Sequence, residues 1–105
     1  MQPIFRGRSL VGSIQGDVRA DVQEYQITET TPISRMRYGD AERKIREVSG
    51  CLLIGYARPN GAGEYSATIN PETAIELRPG DALILIGTIA NVHRFRQWYG
   101  IDQGR

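Results

Sequence analysis

From Val22 to Thr28 apolar and polar residues alternate, with Tyr25 and Ile27 on one side and Glu24 and Gln26 on the other. That period predicts a strand. Glu29-Thr30-Thr31-Pro32 breaks it, and Pro32 biases the preceding residue toward extended backbone, so an open loop is expected to follow. The period then changes. Ala41, Ile45 and Val48 form an i, i+4, i+7 stripe among Glu42, Arg43, Lys44, Arg46 and Glu47. This predicts a helix from Ala41 to about Ser49, capped by Asp40 and ended by Gly50 in the left-handed position.

Cys51 to Ala57 is an unbroken apolar run, which predicts a central strand buried on both faces. Pro59-Asn60-Gly61-Ala62-Gly63 is a turn cluster, after which Tyr65, Ala67 and Ile69 alternate with polar neighbours in a further strand. Thr73 to Leu77 reads as a short extended piece. In Arg78-Pro79-Gly80-Asp81 the order Pro then Gly specifies a type II turn. Ala82 to Ile86 is a second buried strand, closed by Gly87. Thr88 then caps a last helix with Ile89, Val92, Phe95 and Tyr99 on or near one face, and Gly100 ends it.

Residues 1–20 are interrupted by Gly7, Gly12 and Gly16, while Leu10, Val11, Ile14 and Val18 fall at roughly helical spacing. The segment reads as a connector or dimer arm containing a short amphipathic helix. Residues 21–100 form the domain proper, and 101–105 a tail. The element order gives an α+β fold with a small mixed, mostly antiparallel sheet and two main helices.

At 105 residues the chain is sized for one domain. Thirteen basic and twelve acidic residues leave a net charge of +1, a balance that argues against a nucleic-acid partner or a membrane-surface binder. Twelve of the basic residues are Arg and only Lys44 is Lys. Base composition of a genome produces such a bias; so does selection for the planar fork that holds anions. A single Cys, Cys51, excludes an intrachain disulfide and fits a reducing cytoplasm. No apolar run approaches the roughly 20 residues of a membrane span.

Candidate chemistry is sparse. His93 has no evident carboxylate to orient it, Cys51 sits in an apolar run, and Gly61-x-Gly63 leads into a strand rather than a phosphate-binding helix. No set of nucleophile, base and orienting group emerges, so a non-enzyme is expected. The Arg residues are more suggestive. Arg35 and Arg37 lie in the open loop, and Arg58 ends the strand that follows the first helix. The three can converge on one anion if the strand lies beside the loop. The alternative is a solvated basic edge.

The stretch Glu76-Leu77-Arg78-Pro79-Gly80-Asp81-Ala82-Leu83-Ile84-Leu85-Ile86-Gly87 resembles the late segment of the C-terminal subdomain of regulators of potassium conductance (TrkA-C-like, RCK C-terminal). Asn70-Pro71-Glu72-Thr73 resembles the element that precedes it there, and the likeness covers about residues 22–99. The family often carries "glycine, lysine, threonine, leucine" before the helix, whereas here the loop reads Arg35-Met36-Arg37-Tyr38-Gly39-Asp40. The resemblance implies a cytoplasmic homodimeric regulatory domain of a potassium channel or cation transporter at the inner face of the membrane. It also implies a nucleotide, cyclic di-AMP or divalent-cation ligand between subunits. With alternate residues of an extended loop sharing a face, Ile33 would offer a surface for a base and Arg35 and Arg37 forks for phosphate, with Arg58 completing the site. The alternatives are a ligand-free structural dimerisation module and a divalent-cation sensor.

Overall fold

The computed structural model describes residues 8–14 and 18–100. Its elements in chain order are β1 (Arg8–Ile14), β2 (Val18–Gln26), α1 (Tyr38–Ser49), β3 (Leu52–Pro59), β4 (Tyr65–Ile69), β5 (Ala82–Gly87) and α2 (Ile89–Tyr99). The strands form one sheet in the order β1-β2-β5-β3-β4, and every pair of neighbours is antiparallel. The α+β expectation holds, with no parallel pairing among the described strands. Both helices pack on one face of the sheet and against each other.

The core lies in that layer. Tyr25, Leu53, Tyr56, Leu83 and Leu85 from the sheet meet Tyr38, Ala41 and Ile45 of α1 and Val92, Phe95 and Tyr99 of α2. Two tyrosines tie helices to strands by their polar tips. The Tyr38 hydroxyl donates to the Leu53 carbonyl at 2.8 Å, and the Tyr99 hydroxyl to the Gln26 carbonyl at 3.0 Å. Burial pushes the Tyr99 phenol up to about 12 and raises Tyr38 as well. Both are near 10 in an unfolded chain. The folded values are raised, so the stability linked to these phenols is intact below about pH 10 and is lost as pH climbs through the folded values. Each tyrosine is expected to remove about 1.4 kcal/mol per pH unit in that window. Urea midpoints measured from about pH 9 to about pH 12 should fall steeply above the first crossing; a flat profile would contradict the burial of these hydroxyls.

Several local expectations hold. The Asp81 amide donates to the Arg78 carbonyl at 3.0 Å, with Gly80 at φ +97°, which is the type II turn. Thr88 caps α2 in a reciprocal box with Asn91. Gly50 and Gly100 end the helices in left-handed conformation.

Others are corrected. The segment expected to hold a short helix forms β1 over residues 8–14, and its register against β2 slips between Ser9 and Ser13. A register shift of this kind interrupts a strict period of two, so the segment carries no clean strand alternation to read. Residues 1–7, 15–17 and the expected tail 101–105 lie outside the described residues. Helix α1 begins at Tyr38, and Asp40 sits in its first turn rather than capping it. The start is instead fixed by hydrogen bonds to the segment between β4 and β5, in which the Tyr38 amide donates to the Ile75 carbonyl and the Gly39 amide to the Thr73 carbonyl. β5 is the central strand; β3 lies one place from the edge, which leaves Leu52 44% exposed. The edge strand β4 is exposed along its whole length. Ile89, expected on the buried face of α2, is 68% exposed.

Candidate functional site

The loop between β2 and α1 does not run extended. Successive turns close it, with amide donations from Thr31 to Thr28, Ser34 to Thr31 and Met36 to Ile33. The expected alternation therefore fails at its first residue. Ile33 is fully buried in the core and offers no surface to a base. Arg35 and Arg37 remain exposed on the loop.

Arg35 adopts φ +68°, a left-handed conformation that costs a non-glycine residue about 1–2 kcal/mol. Its amide is held by the Leu77 carbonyl at 2.9 Å, which fixes the residue there. Its guanidinium pairs with Glu29 at 3.1 Å, both side chains being more than half exposed. Such a pair contributes about 0–1 kcal/mol and yields readily to a better anion. Arg37 bridges its backbone to Glu76, and its side chain makes no ion pair among the described residues.

Arg58 has another occupation. Its Nε and one terminal nitrogen donate to the two carboxylate oxygens of Asp81 at 2.9 and 2.8 Å, and that terminal nitrogen also reaches the Glu76 carbonyl at 2.9 Å. Its guanidinium carbon lies 5.0 Å from the centre of the Tyr56 ring. The hydrogen bonds to Asp81 push Arg58 above its already high ordinary value. Asp81 is 2% exposed and also accepts the Arg78 amide at 2.9 Å. The pair follows from register, because Ala57 faces Ala82 and so brings the end of β3 beside the entrance to β5.

The structure thus gathers the three arginines around residues 76–77: Arg35 by its amide on Leu77, Arg37 by its backbone on Glu76, and Arg58 by its guanidinium on the Glu76 carbonyl. Arg35 and Arg37 are exposed, Arg35 in its surface pair with Glu29. The third clamps the floor beneath them. Reading the chain alone assigned Arg58 to the ligand because the fork-to-carboxylate pairing spans 23 residues and needs the β3–β5 register to be seen. Cys51 is a core thiol, fully buried and raised by that burial. Among the described residues no group of three or more His, Cys, Asp or Glu is placed to hold a metal ion, and no helix is long and apolar enough to cross a membrane.

No protein-family model matches the sequence, and no curated protein does. Solved structures do. The RCK_C domain dimer of S. agalactiae BusR in complex with c-di-AMP aligns at a TM-score of 0.60 and 13% identity, covering 80% of this chain and 95% of that one. The GsuK channel bound to NAD aligns at 0.61 and 22% identity, over 78% of this chain and 14% of that one. The human SLO3 gating ring gives 0.61 and 18% identity, over 75% and 14%. The chain therefore spans nearly all of the isolated BusR domain and about a seventh of the two channel chains. What is shared at these identities is the fold.

One expectation is overturned. BusR is matched again in a complex with its busAB-promoter DNA, of which this chain covers 38%. The near-neutral charge of one domain is no ground for excluding nucleic acid from the assembly in which such a fold works.

Proposed function

We propose that this chain, which has the fold of RCK C-terminal domains, is a regulatory module that binds a small anionic ligand between two copies of itself. The observation that carries the reading is the match to 95% of the isolated BusR domain, a dimer in complex with c-di-AMP. The ligand class is a nucleotide or cyclic dinucleotide, with cyclic di-AMP first. Arg35 and Arg37 supply forks for its phosphates, and a two-fold axis near the loop duplicates them for a two-fold ligand. Arg58 is reassigned from ligand to clamp. Ile33 contributes only by holding the loop to the core.

The ligand regulates by preferring one arrangement of the two copies over another, and each tenfold of preference supplies about 1.4 kcal/mol. The output is a cation channel or transporter reached from the cytoplasmic side, a reading supported by the GsuK and SLO3 likenesses. The BusR–promoter complexes favour a second reading, in which the same domain reports its ligand to a DNA-bound regulator. Fluorescence anisotropy of labelled duplex DNA with the protein separates the two, since binding supports the second.

Calorimetric titration with cyclic di-AMP and adenine nucleotides tests the site. Charge-assisted hydrogen bonds contribute about 1.5–3 kcal/mol each, so the Arg35→Ala, Arg37→Ala double variant is expected to bind at least about tenfold more weakly. Its thermal midpoint should stay near that of the wild type, because both side chains are exposed. Equal affinity in the variant, or no heat with any of these ligands, would remove the nucleotide reading.

A further inference from the structure

β4 (Tyr65–Ile69) is an edge strand, paired to β3 on one side and, among the described residues, to no strand on the other. The hydrogen bonds on its paired side fix which backbone groups face outward. The Asn60 amide donates to the Glu64 carbonyl and the Asn70 amide to the Ile54 carbonyl, each at 2.9 Å, in a register that sets Ser66 opposite Arg58 and Thr68 opposite Tyr56. Bonded positions alternate along an antiparallel pair, so Ser66 and Thr68 turn their backbones to β3, and Tyr65, Ala67 and Ile69 turn theirs away. Natural edges are blunted by a Lys, a Pro or a bulge. This one has none: the strand reads Tyr-Ser-Ala-Thr-Ile, is exposed throughout, and pairs with β3 without a register shift. The side chains of Tyr65, Ala67 and Ile69 also share one face, with Tyr65 37% and Ile69 58% exposed.

We infer that β4 is a self-pairing edge, completed by a second copy of this chain that lays its own β4 antiparallel beside it about a two-fold axis at Ala67. Pairing centred there sets Ala67 against Ala67, and Tyr65 of each copy against Ile69 of the other. These are the positions whose amides and carbonyls face outward, so each becomes a pair that exchanges both hydrogen bonds. On the exposed face, each Tyr65 ring meets an Ile69 side chain, an aromatic against a β-branched residue. The Tyr65 hydroxyl, donating to the Gly80 carbonyl at 3.2 Å, already holds that ring in place. One residue further out Glu64 faces Asn70, so no like charges oppose each other, and beyond it Pro71 has no amide to donate and ends the ladder. A charge-free strand whose outward amides and apolar side chains are symmetric about its central residue matches a copy of itself better than an unrelated peptide. The edge shares no residue with the Arg35–Arg37 loop and needs no ligand. A chain that pairs through both surfaces assembles beyond a dimer.

Amide hydrogen exchange of the ligand-free protein, read residue by residue by NMR from micromolar to millimolar concentration, tests the pairing. A short strand makes a small contact, so its occupancy rises with concentration. The amides of Tyr65, Ala67 and Ile69 are expected to exchange progressively more slowly along the series. Ala67 is exposed, so Ala67→Glu and Ala67→Lys leave the fold intact, and each sets like charges face to face across the axis. Each variant alone should show less slowing, associating at least about threefold more weakly than the wild type. An equimolar mixture of the two should regain it, because opposite charges then meet. A dimer held by the ligand loop alone would slow none of these amides. Exchange independent of concentration at Tyr65, Ala67 and Ile69, or a mixture no better protected than either variant, would overturn the inference.

Discussion

Phe95→Ala is expected to destabilise the domain by about 4 kcal/mol, the largest effect of any single substitution considered. The side chain is fully buried where α2 crosses the sheet. Its ring stacks on Tyr99 with centroids 4.8 Å apart, lies 4.9 Å from Tyr25 and meets Trp98 edge-on at 5.9 Å. Truncation loses the transfer energy of the ring and leaves a hole that the neighbouring rings fill only in part. The Tyr99 hydroxyl stays bonded to Gln26 and holds that ring away from the gap. A domain of this size has about 5–15 kcal/mol in all, so the variant sits close to unfolding. With about 2 kcal/mol per molar urea, the midpoint should fall by about 2 M. A fall of under about 0.5 M would mean that α2 does not pack as described.

Asp81→Ala is the second, at about 3 kcal/mol. The carboxylate is 2% exposed and receives both donors of Arg58 and the Arg78 amide. Removing it strands a guanidinium and an amide together. The penalty sits at the low end for a buried pair because the Arg58 side chain is 30% exposed and water can reach it. Asp81→Asn keeps an acceptor for the Arg78 amide and should cost less. Arg58→Ala leaves the more deeply buried charge without its partner and should cost at least as much as Asp81→Ala. Denaturant unfolding of the three variants checks the order. If Arg58→Ala were instead neutral for stability and harmful only to ligand binding, the guanidinium would belong to the ligand after all.

These two sites show what could be read from the chain and what could not. The turn at Arg78–Asp81 and the Thr88 cap were legible because their chemistry is complete within four residues. Phe95 was legible as core from its helical stripe. The role of Arg58 was not, since its partner lies on another strand and only the β3–β5 register brings them together. The same holds for α1, whose start is set by hydrogen bonds to residues 73–75 and by Gly39, where an added Cβ would sit 2.9 Å from the Thr73 side chain. Asp40 looked like a cap only because that ladder is invisible in the sequence. Ile33 was misread for a related reason: Pro32 predicts extended backbone just before it, but the turns after Thr28 fold the loop back and drive Ile33 inward.

The claim that the ligand acts between two copies is open to one direct measurement. Binding across an interface and formation of that interface are linked, so each must strengthen the other. Sedimentation velocity across a concentration series, with and without saturating cyclic di-AMP, reads that linkage. The account predicts a dimer at tens of micromolar protein whose dissociation constant falls at least about tenfold when cyclic di-AMP is present. A monomer at these concentrations, unchanged by cyclic di-AMP, would contradict it.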